Sequence, residues 1–533
     1  MIKMMSSMSA ALVLGSGIVT LDAGVTLELQ SRYPDPPVAA LFDESAAEIV
    51  AYDKMSKRLF VTNSGTDAID VIDISDVTAP ELITSIDLES YLEDAGPTSV
   101  AVNPRPGRHE IAVALRAPLS PGKVVFFSTD GTYLASADVG IEPDKIGYSP
   151  NGRYVVTANE AESLETEDGP GAIDDFDGSL TIIDVTKPLR QLNQTKDVQT
   201  IGFDAFNSVR DDLIAAEVRI HPAAGTVAQD LEPEYFTFSE DSKTAWVTLQ
   251  ENNAVAEVDL QTNEVVAIIP LGAKDYSLEG NGLDPSNRDD GINIANWPVY
   301  GLYMPDAIAS YKVEGETFLV TANEGDTRDD FDTERIKDLD LDPLAFPDAA
   351  WLQEDEQLGR LNASIIDGLN SDGTYSELYS YGARSFSIWK TDGTLVFDSG
   401  DQFEQITAAY FPDDFNSTDN ENDSFDNRSD DKGPEPEGVT LGKIGGHTYA
   451  FVTLERTGGI MIYDVTDPYS PSWCDYVNTR EFAGNPEAGT AGDLAPEGIE
   501  FIAAGDSPSG FPLVVVANEV SGTTSIFAVK PLP

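Results

Sequence analysis

The stretch "TFLVTANEGDTRDD", residues 317–330, begins as a strand and ends in charge. Phe318, Val320 and Ala322 alternate with Leu319 and Thr321, a short run suited to a buried β-strand. It stops at Asn323-Glu324. Similar endings occur in "YVVTANEAES" from 154, "AWVTLQENNA" from 245, "AFVTLERTGG" from 450 and "LVVVANEVSG" from 513. Upstream of each lies another apolar run that often opens on Pro and an acid. These runs are "AEIVAYD" at 47, "PTSVAVN" at 97, "PDKIGYS" at 143, "PEYFTFS" at 233, "PDAIASY" at 305, "PEGVTLG" at 436 and "PEGIEFI" at 496. The second runs end at Ser64, Leu115, Glu160, Glu251, Glu324, Glu455 and Glu519, and a third apolar run usually follows.

Seven copies of one pattern predict an all-β, seven-bladed β-propeller, with a fourth, less legible strand at each outer edge. The last copy ends after its third strand. Residues 25–33, "VTLELQSRY", are therefore expected to close the ring and remove an open edge. In an antiparallel pair, the start of one strand and the end of the next share one end of the sheet. The two acidic motifs thus converge on one channel mouth, as a ring of Glu48, Asp144, Glu160, Glu234, Glu251, Asp306, Glu324, Glu437, Glu455, Glu497 and Glu519. Long extra segments at about 161–178, 189–230, 270–304, 325–380, 400–435 and 478–495 are expected on the same face, as a lid.

The 533 residues carry 32 Lys plus Arg against 93 Asp plus Glu, a net charge of −61, which repels nucleic acid and anionic membranes. A single cysteine, Cys474, excludes an internal disulfide, and three scattered histidines argue against a His-rich zinc site. Lys3 and the apolar stretch from Ala10 to Thr20 resemble a signal peptide over residues 1–23, followed by one propeller domain over 25–533. No later stretch is long and apolar enough to span a membrane. Secreted, periplasmic or cell-surface localisation is expected.

Carboxylates confined in a mouth must be protonated, paired or bound to cations. Oxygen-only ligands suit calcium first, with other divalent metals as alternatives. Arg328, Arg384 and Arg456 flank the ring; they either pair with its glutamates or hold a phosphate by bidentate contacts. The Asp/Asn-rich segment 413–438 lacks the EF-hand glycine and reads as a calcium-ordered lid or a solvated loop. Residues 367–377 read as a small calcium loop or a turn.

The segments "AQDLEPEYFTFSEDSKTAWVTLQENNAVAEVDL", "GINIANWPVYGLYMPDAIASY", "LVTANEGDTRDD", "FEQITAAYFP", "NENDSFDNRSDDKGPEPEGVTLG" and "LVVVANEVSGTTSIF" resemble the choice-of-anchor I family. The resemblance runs from about residue 27 to the C-terminus. It implies a secreted or cell-surface seven-bladed propeller, in a family that includes an atypical cyanobacterial alkaline phosphatase and a mesenchyme-specific cell-surface glycoprotein. Members often carry C-terminal anchors; this sequence ends at its last repeat. The resemblance and the ring together predict a calcium-dependent phosphoric-ester hydrolase of alkaline-phosphatase type acting on a small phosphorylated substrate. Glu160, Glu251, Glu324, Glu437, Glu455, Glu497 and Glu519 are the leading metal ligands, and Arg328, Arg384 or Arg456 the phosphate contact. The alternative is a non-catalytic extracellular propeller whose calcium site orders a surface that binds an extracellular ligand. A quinone-dependent dehydrogenase ranks below both, because the repeats lack recurrent tryptophans.

Overall fold

Strand pairing builds the protein from repeated four-stranded antiparallel sheets. The computed structural model describes residues 24–93, 95–118, 120–161, 164–165, 173–174, 176–222, 224–328 and 332–532. The expected signal peptide, and most of the extra segment 161–178, lie outside them. Among the described residues there are seven such sheets. Their leading strands are Val50–Asp53, Gly96–Val102, Pro143–Tyr148, Pro233–Phe238, Ile308–Val313, Pro436–Ile444 and Pro496–Ile502. Their second strands are Arg58–Asn63, Glu110–Ala117, Tyr154–Asn159, Thr244–Leu249, Glu316–Asn323, His447–Leu454 and Leu513–Asn518. The second sheet's strand thus runs past the expected end at Leu115.

The outer edge strands are Glu81–Asp87, Tyr133–Ile141, Val198–Gly202, Glu264–Pro270, Leu395–Asp398 and Ser472–Val477, with Val25–Tyr33 in the seventh sheet. Val25–Tyr33 pairs antiparallel with Thr523–Pro531, from Val25 opposite Pro531 to Tyr33 opposite Thr524. One boundary needs correction. The expected lid segment 189–230 contains the third sheet's own outer strand, Val198–Gly202, whose sequence VQTIG is too polar and short to stand out.

Each leading strand packs beside that of the next sheet, and the seventh beside the first. Between consecutive sheets lies a hydrophobic cluster drawn from both. Phe60 and Val71 meet Val100 and Ile111; Val156 and Leu180 meet Phe236 and Val247; Val50 and Val61 meet Ile502 and Val515. A separate core sits in the insertions, where Trp297, Ile336, Phe346, Leu358 and Tyr375 pack together. Burying a large apolar side chain yields about 1.5–3 kcal/mol, so this cluster lets the insertions hold a fixed shape. A nine-residue helix, Gln402–Tyr410, buries Phe403, Glu404 and Thr407. The loops that join a second strand to a third, or a fourth strand to the next sheet, all leave from one end of the sheets. Residues 270–304, 325–380, 400–435 and 478–495 occupy those positions.

Candidate functional site: an acidic mouth under the insertions

The local reason for the acidic motifs is visible in the strand register. In five sheets the leading proline pairs with a residue at or near the end of the second strand: Pro97 with Leu115, Pro143 with Asn159, Pro233 with Leu249, Pro436 with Leu454 and Pro496 with Asn518. The register shifts immediately afterwards in each. Such a bulge re-aims the residue it holds, which is the acid in four of the five sheets and Thr98 in the second. The threonine of the second strand ties down the residue after the acid in three sheets, two of them, those of Thr248 and Thr453, at a bulge. Thr62, Thr248 and Thr453 accept from the backbone N–H of Ile49, Tyr235 and Gly438, the residue after each acid.

The asparagine that precedes many of the glutamates is a peg. Asn159 Nδ2 donates to Ser179 and Thr181, Asn323 Nδ2 to Ser385 and Ser387, and Asn518 Nδ2 to Thr523 and Ser525. Each ties the second strand to the third and fixes the glutamate that follows at the sheet's end. That geometry explains why strands end on Asn-Glu.

All seven leading segments contribute to one cavity of about 110 Å³. Its lining includes Asp144, Glu234, Asp306, Glu437 and Glu497, with Lys145 as the one cationic residue among the described lining residues. One carboxylate oxygen of Glu234 and one of Glu437 are buried without a hydrogen-bond partner among the described residues. Beside the cavity, carboxylate oxygens of Glu324, Glu437 and Glu455 lie within 4.8 Å of one another. Pro436 opposite Leu454 makes Glu437 and Glu455 neighbours; Glu324 arrives from the preceding sheet.

The electrostatics follow from this crowding. Burial first, and then Glu324 and Glu455, push the Glu437 carboxyl well above its usual range. Burial, then Asp306, Glu251 and Glu160, do the same to Glu234. Burial, then Glu48 and Glu519, do so to Glu497. Asp306 is raised by burial and by Glu324 and Asp144, and Asp144 by burial against the pull of Lys145 and Arg116. Glu48 is pushed up to about 7 by burial, although Ser64 donates to it. Glu519 accepts from Ser45 Oγ at 2.6 Å. Glu160 and Glu251 lie near enough to Glu234 to act on its charge but are not among the lining residues of the cavity.

The three arginines have separate surroundings. Arg328 is ion-paired with Glu232 at 2.7 Å and donates to the Asp230 carbonyl at 2.6 Å. Arg384 is buried, pairs with Glu404 at 2.7 Å, and donates to the carbonyls of Asp284, Ser429 and Asp431. It thereby clamps the insertions together, and it does not line the cavity. Arg456 reaches the acidic trio, 3.3 Å from Glu455, while also binding Glu435 at 3.1 Å and Asp419. Among the described residues, Arg456 is the one of the three that is ion-paired with a carboxylate of the trio.

Two residues missed in the sequence complete the mouth. Lys432 lies 2.8 Å from Glu324 and 3.3 Å from Glu435. Burial disfavours its charge, yet Glu324, Glu435 and Asp326 outweigh burial and raise its pKa well above the usual value. Burial likewise opposes ionisation of Glu435, but Lys432, Arg456 and Arg428 hold its carboxyl far below the usual range. The signal was available: Glu435 stands two residues before Glu437 in "PEPEG", and Lys432 is a lone lysine in an acidic run. Residues 367–377 form a turn, in which Asp372 accepts from the backbone and hydroxyl of Thr374 at 3.1 and 2.8 Å. Cys474 is partly buried in an outer strand, and burial raises its thiol pKa.

Residues 48–468 match the Choice-of-anchor I domain, and the chain belongs to that family. It is 34% identical to Gigasin-3a of Magallana gigas over 197 residues, 34% of this chain and 69% of that protein. It is 31% identical to the mesenchyme-specific cell surface glycoprotein of Strongylocentrotus purpuratus over 322 residues, 50% of this chain but 40% of that protein. Among solved structures, the β-propeller domain of Myceliophteria thermophila Cps50 (Swd1) aligns over 95% of this chain and all of its own, at 9% identity and a TM-score of 0.43. Among the described residues no helix is long and apolar enough to cross a membrane.

Proposed function

We propose that this chain is an extracellular seven-bladed propeller, closed by Val25–Tyr33, that binds a divalent cation at its axial mouth and uses it to hold a ligand beneath the insertions. The single observation behind this reading is the convergence of Glu324, Glu437 and Glu455 within 4.8 Å. Crowded carboxylates repel one another unless they are protonated or a cation joins them, and a set of oxygens suits calcium. The Lys432 ammonium on Glu324 fits the same demand for positive charge. Contact between the first and seventh leading strands supports closure, and the name of the sea-urchin relative supports a place outside the cell.

Hydrolysis of a phosphoric ester is the second reading. Arg456 favours it, because a guanidinium beside a metal ligand suits a phosphate oxygen. Its current partners, Glu435 and Asp419, would have to release part of that guanidinium first. Purified full-length protein, stripped with chelator and titrated with calcium, tests the first reading by its melting temperature and elemental content. No bound calcium and no thermal shift would refute it. A panel of phosphomonoesters and diesters, assayed with calcium, tests the second; no turnover on any of them leaves the binding reading alone.

A further inference from the structure

The insertions contain a second concentration of buried oxygen, separate from the axial mouth. Residues 284–293 meet residues 404–430 there. Asp284, Glu404, Asn416 and Asp426 are all buried, at 0, 1, 0 and 3% exposure, and Asp289 stands half-buried beside them. The group is tightly linked. Glu404 Oε2 accepts from the Asp284 backbone at 3.2 Å. Asn416 Nδ2 donates to Glu404 Oε1 at 2.8 Å and to Ser429 Oγ at 2.9 Å, and Ser429 Oγ donates to Asp426 Oδ1 at 2.5 Å. The Asn416 amide is therefore held between the Glu404 and Asp426 carboxyls.

Charge does not balance in this group. Arg384 pairs with Glu404, and among the described residues no cationic side chain is ion-paired with Asp284 or Asp426. Burial first, and then Asp284, Asp289 and Glu404, push Asp426 up to about 8 against the Ser429 hydroxyl that donates to it. Burial, then Glu404 and Asp289, push Asp284 up to about 7 despite backbone donors from Asn293 and Ser286. The independent observation is Asn416. Its side-chain oxygen is buried and has no hydrogen-bond partner among the described residues. A buried acceptor left unmet costs about 1–3 kcal/mol. The amide nitrogen is the atom that faces Glu404 and Ser429, and the oxygen, on the same carbon, is held at the edge of that group without a donor of its own. A cation satisfies an amide oxygen and ionised carboxylates together.

We propose that Asp284, Asp426 and the amide oxygen of Asn416 form a second cation site, within the insertions, for a divalent, oxygen-preferring ion such as calcium. These carboxylates do not form a three-carboxylate group as tight as the axial trio. That suits a calcium shell, which mixes carboxylate with amide and carbonyl oxygens and takes six to eight ligands at about 2.3–2.6 Å. The ion ties the 284–293 loop to the 413–430 loop. From that second loop the chain continues to Lys432 and Glu435 at the axial mouth.

The test uses chelator-stripped full chain titrated with calcium chloride, by calorimetry, together with limited proteolysis of residues 413–435. Wild type is expected to bind a calcium ion that Asp426→Asn binds at least about tenfold more weakly, because ligand charge sets calcium affinity. Calcium should protect 413–435 from cleavage in wild type and not in Asp426→Asn. Asp289→Asn, at a half-buried position where loss of a charge is milder, should weaken the same ion several-fold and carries the test if Asp426→Asn does not fold. Glu437→Gln, at the axial mouth, should leave the protection intact, so failure of the axial reading and failure of this one are distinguishable. If Asp426→Asn and Asp289→Asn match wild type in affinity, stoichiometry and protection, the Asn416 oxygen is met by water and the site does not exist.

Discussion

Replacing Glu48 by Gln should stabilise the metal-free protein by an amount that grows from pH 4.5 and is complete above about pH 7. Burial holds the Glu48 carboxyl at about 7 in the folded protein against an ordinary 4.5, with Glu519 and Asp144 adding repulsion. Below pH 4.5 the group is protonated in both folded and unfolded chains and costs nothing. Between 4.5 and about 7 the unfolded chain ionises first, and stability falls by about 1.4 kcal/mol per pH unit. Above the folded value the penalty is constant at about 3 kcal/mol. Gln keeps the shape and an acceptor for Ser64 but has nothing to ionise. Unfolding entropy of about 2 cal/mol/K per residue over roughly five hundred residues converts 3 kcal/mol to a gain of about 3 °C. Thermal unfolding in chelator from pH 4 to 8.5 should show no gain at pH 4 and the full gain at 8.5. A variant that melts with wild type at pH 8.5, or gains equally at every pH, would refute the crowded, desolvated mouth.

Arg384→Met should destabilise the fold by about 3–5 kcal/mol, because it strands Glu404 as a buried, uncompensated charge; thermal unfolding reads this, and proteolysis should locate the damage in the insertions. Deleting residues 25–33 should expose Thr523–Pro531 as an unpaired edge and convert a monodisperse species into aggregates, measured by light scattering; an unchanged, monodisperse protein would contradict ring closure. If the phosphoric-ester reading holds, Arg456→Lys should cost about tenfold or more in turnover, since a lysine cannot reproduce bidentate contact, while calcium affinity changes little.

The fold was legible because the repeat supplied redundant information. Seven copies of an apolar run, a turn and a second apolar run cannot all arise from helices of period 3.6, and the third strands fell where the sequence placed them, as at Ala68–Asp73 and Thr523–Pro531. Outer strands such as Val198–Gly202 were hidden because an edge exposes one face to water and loses the apolar signature. The convergence of Glu437 with Glu455 was readable from antiparallel geometry alone. What composition could not disclose was how each cation is used. Arg328, Arg384 and Arg456 stand alike in the sequence, yet one binds Glu232, one clamps the insertions, and one reaches the trio. Lys432 and Glu435 were missed because a long insertion brings them to the mouth, and its path depends on packing between elements far apart in the chain.

The axial cation site is tested most directly by a calcium-binding cycle at pH 8 on wild type, Glu437→Gln, Glu455→Gln and the double variant. Metal binding needs ionised carboxylates, so affinity is read where they are most available. Each single change should weaken binding by about tenfold or more, and the double change should lose less than the sum, because the two carboxylates act on one ion. Equal calcium affinity in all four proteins would show that Glu324, Glu437 and Glu455 converge without holding a cation, and the binding reading would fall with them.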